Sequence, residues 1–170
     1  MDRVVNWKPL AEYMVEKFKE RKGSLWAVSF GCNEDLVRYL SDNRFTLEGI
    51  YSSNGSTRSK ILRLSYNKSL NDLNGIGDNR YDVGICNGEL HGVQFDLIPK
   101  ALQEMRRVCS DYLFLGFDKD EFAGSDAQWE SWWDEQLHKL GNFQKLKPGF
   151  FEELKGRHIL RYAVNLRNGQ

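Results

Sequence analysis

YDVGICNGELHGVQFDLIPKALQEMRRVCSDYLFLGF, residues 81–117, holds two strand-like apolar runs on either side of one amphipathic helix pattern. Tyr81 to Cys86 is a buried-strand run that stops at Asn87-Gly88-Glu89, a polar exit bearing a glycine. Leu97, Ala101, Leu102, Met105 and Val108 then share one helical face, with Pro99 near the start, where proline is tolerated. Tyr112 to Phe117 is the second buried strand. Strands alternating with helices argue for a parallel sheet covered on both faces. Open sheets of this kind bind ligands beyond the carboxyl ends of their strands, so Asn87-Gly88-Glu89 marks the edge of a candidate site.

Working outward, the same alternation continues. Pro9 opens a first helix through Leu10, Tyr13, Met14 and Phe18, closed by Gly23. Leu25 to Phe30 is a buried strand ending in Gly31, and Leu36, Val37 and Leu40 mark a brief helix after it. Phe45 to Tyr51 is the second strand and Ile61 to Leu64 the third, running out through Ser65-Tyr66-Asn67. Residues 65–80 are rich in Asn, Asp, Gly and Ser, a composition for turns, with Leu70, Leu73 and Ile76 as apolar anchors. Trp129, Trp132, Trp133, Leu137 and Leu140 form the stripe of another helix, ended by Gly141. Phe143 to Leu146 and His158 to Leu166 close the chain as a hairpin across Pro148-Gly149, which brings in one antiparallel strand.

The chain has 170 residues, with 24 basic and 24 acidic side chains. That length fits one domain with a real core, and residues 1–170 are read as such. It divides into an N-terminal helix (1–23), a first half carrying the glycine turn (24–117) and a C-terminal helix with closing hairpin (118–170). The balanced charge provides no field to draw the chain to nucleic acid or an anionic membrane. No apolar run is long enough to span a bilayer, and the charged segment Met1 to Lys22 is unlike a signal peptide. Cys32, Cys86 and Cys109 are odd in number and lack zinc-like spacing, so the expectation is a reduced, cytoplasmic protein without a metal.

This order of elements resembles the class I S-adenosylmethionine-dependent methyltransferases, of the small-molecule, type 11-like kind. The likeness covers about Leu25 to Leu166. Its best part is Tyr81 to His91, similar to the family's fourth strand and following turn, and Leu102 to Val108 is similar to the helix before the fifth strand. Cys109-Ser110-Asp111 stands where the family has a glycine-bearing turn. The resemblance implies a three-layer α/β sandwich with a Rossmann-like, seven-stranded, mostly parallel sheet whose last strand is antiparallel beside the fifth. It also implies S-adenosylmethionine as cofactor and a small-molecule methyl acceptor.

Carried over residue by residue, the cofactor turn is Ser29-Phe30-Gly31-Cys32-Asn33-Glu34-Asp35. The family places an acidic residue and three alternating glycines there. Here Gly31 keeps the first glycine, Asn33 and Asp35 replace the other two, and Ser29 takes the acidic position. Asn and Asp tolerate positive φ better than other non-glycine residues, so the expectation is that they preserve the turn. At the end of the second strand Tyr51 and Ser52 replace the ribose-binding carboxylate. With Cys32 and the Asn87, Gly88 and Glu89 turn, these residues make the implied cofactor set. Gly31→Val is expected to abolish cofactor binding and Ser29→Ala to have little effect. His91 stands where some members hold a catalytic base, and Glu89 is a comparable candidate.

Three further features remain. The cluster Trp129, Trp132 and Trp133 packs on the sheet, or else forms a surface for a protein partner or a homodimer. Arg106 and Arg107 read as a solvated helix face. The acidic loop Asp118-Lys119-Asp120-Glu121 reads as solvated, or as facing a polar acceptor. Two functions therefore stand beside each other: methyl transfer to a small molecule, and a catalytically inactive methyltransferase-like subunit that binds or activates a partner. A nicotinamide-binding reading fails, because there is no G-x-G-x-x-G turn and no acidic residue ends the second strand.

Overall fold

The computed structural model describes residues 6–31, 33–51, 62–118, 127–147 and 159–167, and of residues 127–129 the backbone alone. In chain order the elements are α1 (Lys8–Lys17), β1 (Leu25–Phe30), α2 (Glu34–Asp42), β2 (Phe45–Tyr51), β3 (Leu64–Asn67) and β4 (Tyr81–Asn87). Two short 3₁₀ turns (Glu89–Gly92 and Phe95–Leu97) lead into α3 (Ile98–Val108). Then come β5 (Cys109–Asp118), α4 (Ala127–Leu140), β6 (Asn142–Leu146) and β7 (Ile159–Asn165). The strands form one sheet in the order β3-β2-β1-β4-β5-β7-β6. Strands β1 to β5 run parallel, and β7 is antiparallel to both β5 and β6. This is the seven-stranded, mostly parallel sheet expected from the sequence.

Alternation along the strands builds two cores. Leu25 and Ala27 of β1, Val83 and Ile85 of β4 and Phe114 of β5 face α1 and α2, where Leu10, Met14, Leu36, Val37 and Leu40 are buried. Val28 and Phe30, Cys86, and Leu113, Leu115 and Phe117 face the opposite side, against Ala101, Leu102 and Met105 of α3 and Trp133 and Leu137 of α4. A strand apolar on both faces must be covered twice, which is why the helices divide into two layers. Trp133 stacks on Phe117 at 4.2 Å between ring centres, so the tryptophan helix does pack on the sheet. The side chain of Trp129 lies outside the described residues, as do Pro148, Gly149 and Lys119 to Glu121.

Three sequence expectations need correction. First, β3 runs Leu64–Asn67, where the sequence reading began the strand at Ile61, which lies outside the described residues; Leu62 is buried ahead of it, and pairing begins at Glu48↔Leu64. An edge strand buries little, so its polar sequence hid it while the neighbouring apolar run drew the assignment. Second, β5 starts at Cys109, because α3 passes straight into extended backbone there (φ −113°, ψ 134°) without a turn. Third, Arg106 and Arg107 are not a solvated face. The Arg106 Nε donates to the Leu140 carbonyl at the end of α4 (2.8 Å). Arg107 donates to the carbonyls of Ile76 (2.8 Å) and Leu73 (3.1 Å) and to the carboxylates of Asp78 and Glu104. These bonds tie the helix-free segment 68–80 to α3, with Leu73 and Ile76 buried beneath it as the sequence indicated.

Candidate functional site

The candidate site lies at the carboxyl ends of β1, β2, β4 and β5. The chain leaves β1 at Gly31, whose N–H donates to Ile50 of β2 (2.7 Å) and whose φ is +102°. It leaves β4 at Gly88, φ +96°, with the Gly88 N–H on the Gly116 carbonyl (2.8 Å). Both angles fall in the region that favours glycine. Since Ser29 pairs with Ile85 and Phe30 with Cys86, the two exits are neighbours. They meet through one side chain. A Cβ placed on Gly31 would lie 2.5 Å from Glu89 Oε1 and closer still to Glu89 Cγ and Cδ, so Glu89 occupies the notch that the glycine leaves. Burial alone pushes the Glu89 carboxyl above its ordinary range.

The other residues of the altered turn are used internally. The Ser29 hydroxyl is buried and donates to the Gly31 carbonyl (2.6 Å). Asn33 does not adopt positive φ: at φ −107° its side chain caps α2, accepting from Leu36 N–H (3.0 Å). Asp35 is exposed in the first turn of α2, where its charge complements the helix dipole. Among the described residues of the turn, Gly31 alone has a positive φ, and position 33 serves as a helix cap. Tyr51 ends β2, half-buried, in register with Asn67 of β3. Cys32 and Ser52 lie outside the described residues. Cys86 is fully buried, and desolvation, then the nearby Glu89 charge, push its thiol well above the usual range, so it is an inert core group.

His91 bridges the ends of two strands. Its Nε2 accepts the backbone N–H of Asp118 (3.0 Å), which fixes the exit turn of β4 to the end of β5. The lone pair that would take a proton from an acceptor is engaged there. Beside it lie Asn87, which the resemblance assigns to the cofactor set, Asp118, which is buried and not solvated as the sequence suggested, and Arg161, which sequence reasoning passed over. Asn87 lies against Gly116, where a Cβ would come within 2.6 Å of its Oδ1. Arg161, in register with Gly116, is buried and donates to the Asn6 carbonyl (2.8 Å), and Asp118 is fully buried. The available signal was a charged residue inside the apolar run His158 to Leu166. Above the 3₁₀ turns, exposed Phe95 rests on Trp132 (4.7 Å between ring centres).

At the amino ends of the strands, away from this site, Trp26, Arg63, Arg80 and Asp82 line an open groove of about 370 Å³, with the Arg63 guanidinium over the Trp26 ring. Among the described residues no group of His, Cys, Asp and Glu is placed to hold a metal ion, and no helix is long and apolar enough to cross a membrane.

No family model matches the sequence, and no curated protein matches it. Solved structures do resemble the fold. The carbon methyltransferase CurJ aligns with 92% of this chain at a TM-score of 0.65 and 11% identity, the chain spanning 53% of that protein's length. An S-adenosyl-L-methionine-dependent methyltransferase assigned in Methanococcus maripaludis aligns with 96% of the chain and 88% of its own, at a TM-score of 0.63 and 10% identity. The 1,6-didemethyltoxoflavin-N1-methyltransferase of Burkholderia thailandensis, solved with that substrate and S-adenosylhomocysteine, aligns with 93% of the chain and 76% of its own, at a TM-score of 0.65 and 12% identity. At such identities the likeness is one of fold: the chain has the class I methyltransferase fold.

Proposed function

We propose that the chain binds S-adenosylmethionine at the carboxyl ends of β1, β2 and β4 and moves its methyl group to a small-molecule acceptor. The observation that carries this reading is the pair of positive-φ glycines, Gly31 and Gly88, at adjoining strand exits beside the start of α2. The Gly31 backbone leaves a notch of the kind a nucleoside thioether needs, and the nearest atoms in it, among the described residues, belong to the Glu89 side chain. Bound there, the cofactor supplies an electrophilic sulfonium methyl. The Gly31 to Asp35 turn would lie beneath its methionine and ribose portions, and the Tyr51 hydroxyl would face the ribose without a carboxylate's charge-assisted bonds. The Asn87-Gly88-Glu89 turn would wall the methyl side. His91 holds that turn in place, so transfer rests on in-line positioning of the acceptor more than on proton abstraction.

Titration calorimetry of the purified chain with S-adenosylmethionine and S-adenosylhomocysteine tests the reading. Micromolar binding of either supports it, and the absence of heat with both overturns it. The second reading, a catalytically inactive methyltransferase-like subunit, draws on the same Glu89, which fills the notch, and on the engaged His91. It expects no binding by the chain alone and binding restored by a co-purifying protein.

A further inference from the structure

We infer that Glu89 is a displaceable plug: its side chain stands in the Gly31 notch and must swing into solvent before an adenosine thioether can enter. The inference rests on the cofactor reading above and adds to it the residue that sets affinity. Three observations converge. The overlap with a Gly31 Cβ involves Cγ, Cδ and Oε1 together, so the stem of the side chain, and not its tip alone, lies in the notch. The carboxyl has no hydrogen bond or ion pair among the described residues, in contrast to Glu48, Glu104 and Asp111, each of which is held by arginine. Burial without a partner also leaves it poorly solvated.

A side chain so placed is held by the packing of its methylenes, gives up no hydrogen bond among the described residues on leaving, and regains water at its carboxyl. It sits on the 3₁₀ turn that follows Gly88, where the backbone can stay fixed while the side-chain torsions change. The plug and the ligand therefore compete for one volume. Apparent affinity is the intrinsic affinity reduced by the fraction of chains in which the notch is clear. A shorter side chain at position 89 removes the competition, and an apolar one of similar length, which gains nothing from water, strengthens it.

The experiment compares the full chain with Glu89→Ala and Glu89→Leu, using S-adenosylhomocysteine as probe by calorimetry and following thermal unfolding without ligand. If the open fraction in the parent is about one in ten, Glu89→Ala binds roughly tenfold more tightly. Glu89→Leu binds about tenfold more weakly or not at all, while unfolding at a higher temperature than the parent, because a leucine gains from partial burial where an unpartnered carboxyl loses. Equal affinity of parent and Glu89→Ala overturns the plug while leaving the cofactor site standing. Binding lost in Glu89→Ala with its unfolding temperature unchanged also overturns it, since Glu89 would then be a ligand contact. Absence of binding in all three forms overturns the cofactor reading and the plug together.

Discussion

Gly31 carries two constraints at once, a φ of +102° and a neighbour in the place of its missing side chain. Gly31→Ala therefore forces both backbone strain and a shift of Glu89, and it should destabilise the chain by about 1–3 kcal/mol. Urea denaturation measures this, and a midpoint equal to the parent's would mean that the turn relaxes freely. Ser29→Ala, expected to matter little for cofactor binding, should cost about 1 kcal/mol of stability. The buried Ser29 hydroxyl holds the Gly31 carbonyl, and its loss leaves that carbonyl without its donor. The Asn33 amide is likewise used internally, as the cap of α2. The family pattern suggested a glycine substitute, whereas the local physics of an Asn three residues before Leu36 is that of a helix cap. Asn33→Ala should accordingly lower stability by about 1 kcal/mol through α2, whatever the ligand does.

At the level of elements, the strands and helices with two apolar faces or a clear stripe were legible: β1, β4, β5, α3 and α4 carry enough buried side chains for periodicity to find them. β3 was not, because Leu64, Ser65, Tyr66 and Asn67 pair at the sheet edge with none of them buried. The segment 68–80 was legible as irregular but not as ordered. Its order comes from Arg107 and Glu104, which reach it from α3 across about thirty residues of sequence, a distance that no local pattern reports. The Arg107 bond holds the Glu104 carboxyl below its ordinary range, the mark of a pair engaged in the folded state. Arg107→Ala should remove this clamp at a cost of about 2 kcal/mol. Hydrogen exchange would show the amides of Leu73, Ile76 and Asn79 speeding up ahead of those in β4 and β5. Uniform acceleration over the whole sheet would mean that the segment is held by its buried anchors alone.

Across the whole molecule, the two-sided core follows from alternation and needs no long-range information, which is why the layered sheet could be read from sequence. The ion pairs that join its distant ends could not. Asp111, at the start of β5, is buried and bonded by Arg21, which follows α1, by Arg167, which follows β7, and by Ser110. Burial works to raise its pKa, but the hydrogen bonds from Arg167, Ser110 and Arg21 outweigh this and hold the carboxyl below the usual range. A depressed folded-state pKa means that Asp111 contributes stability above its unfolded value, about 3.9, and loses it as pH falls through the lower folded value. Its guanidinium partners are 38% and 60% exposed, so solvent screening limits the contribution to roughly 1–2 kcal/mol. Asp111→Asn should thus unfold more easily than the parent at neutral pH, and the difference should shrink on acidification below about pH 4 as the parent loses what the variant never had. Denaturation midpoints of both proteins across pH 3–7 measure the gap. A gap that stays constant over that range would show that Asp111 acts by shape and not by charge, and that the two ends of the chain are joined by packing alone.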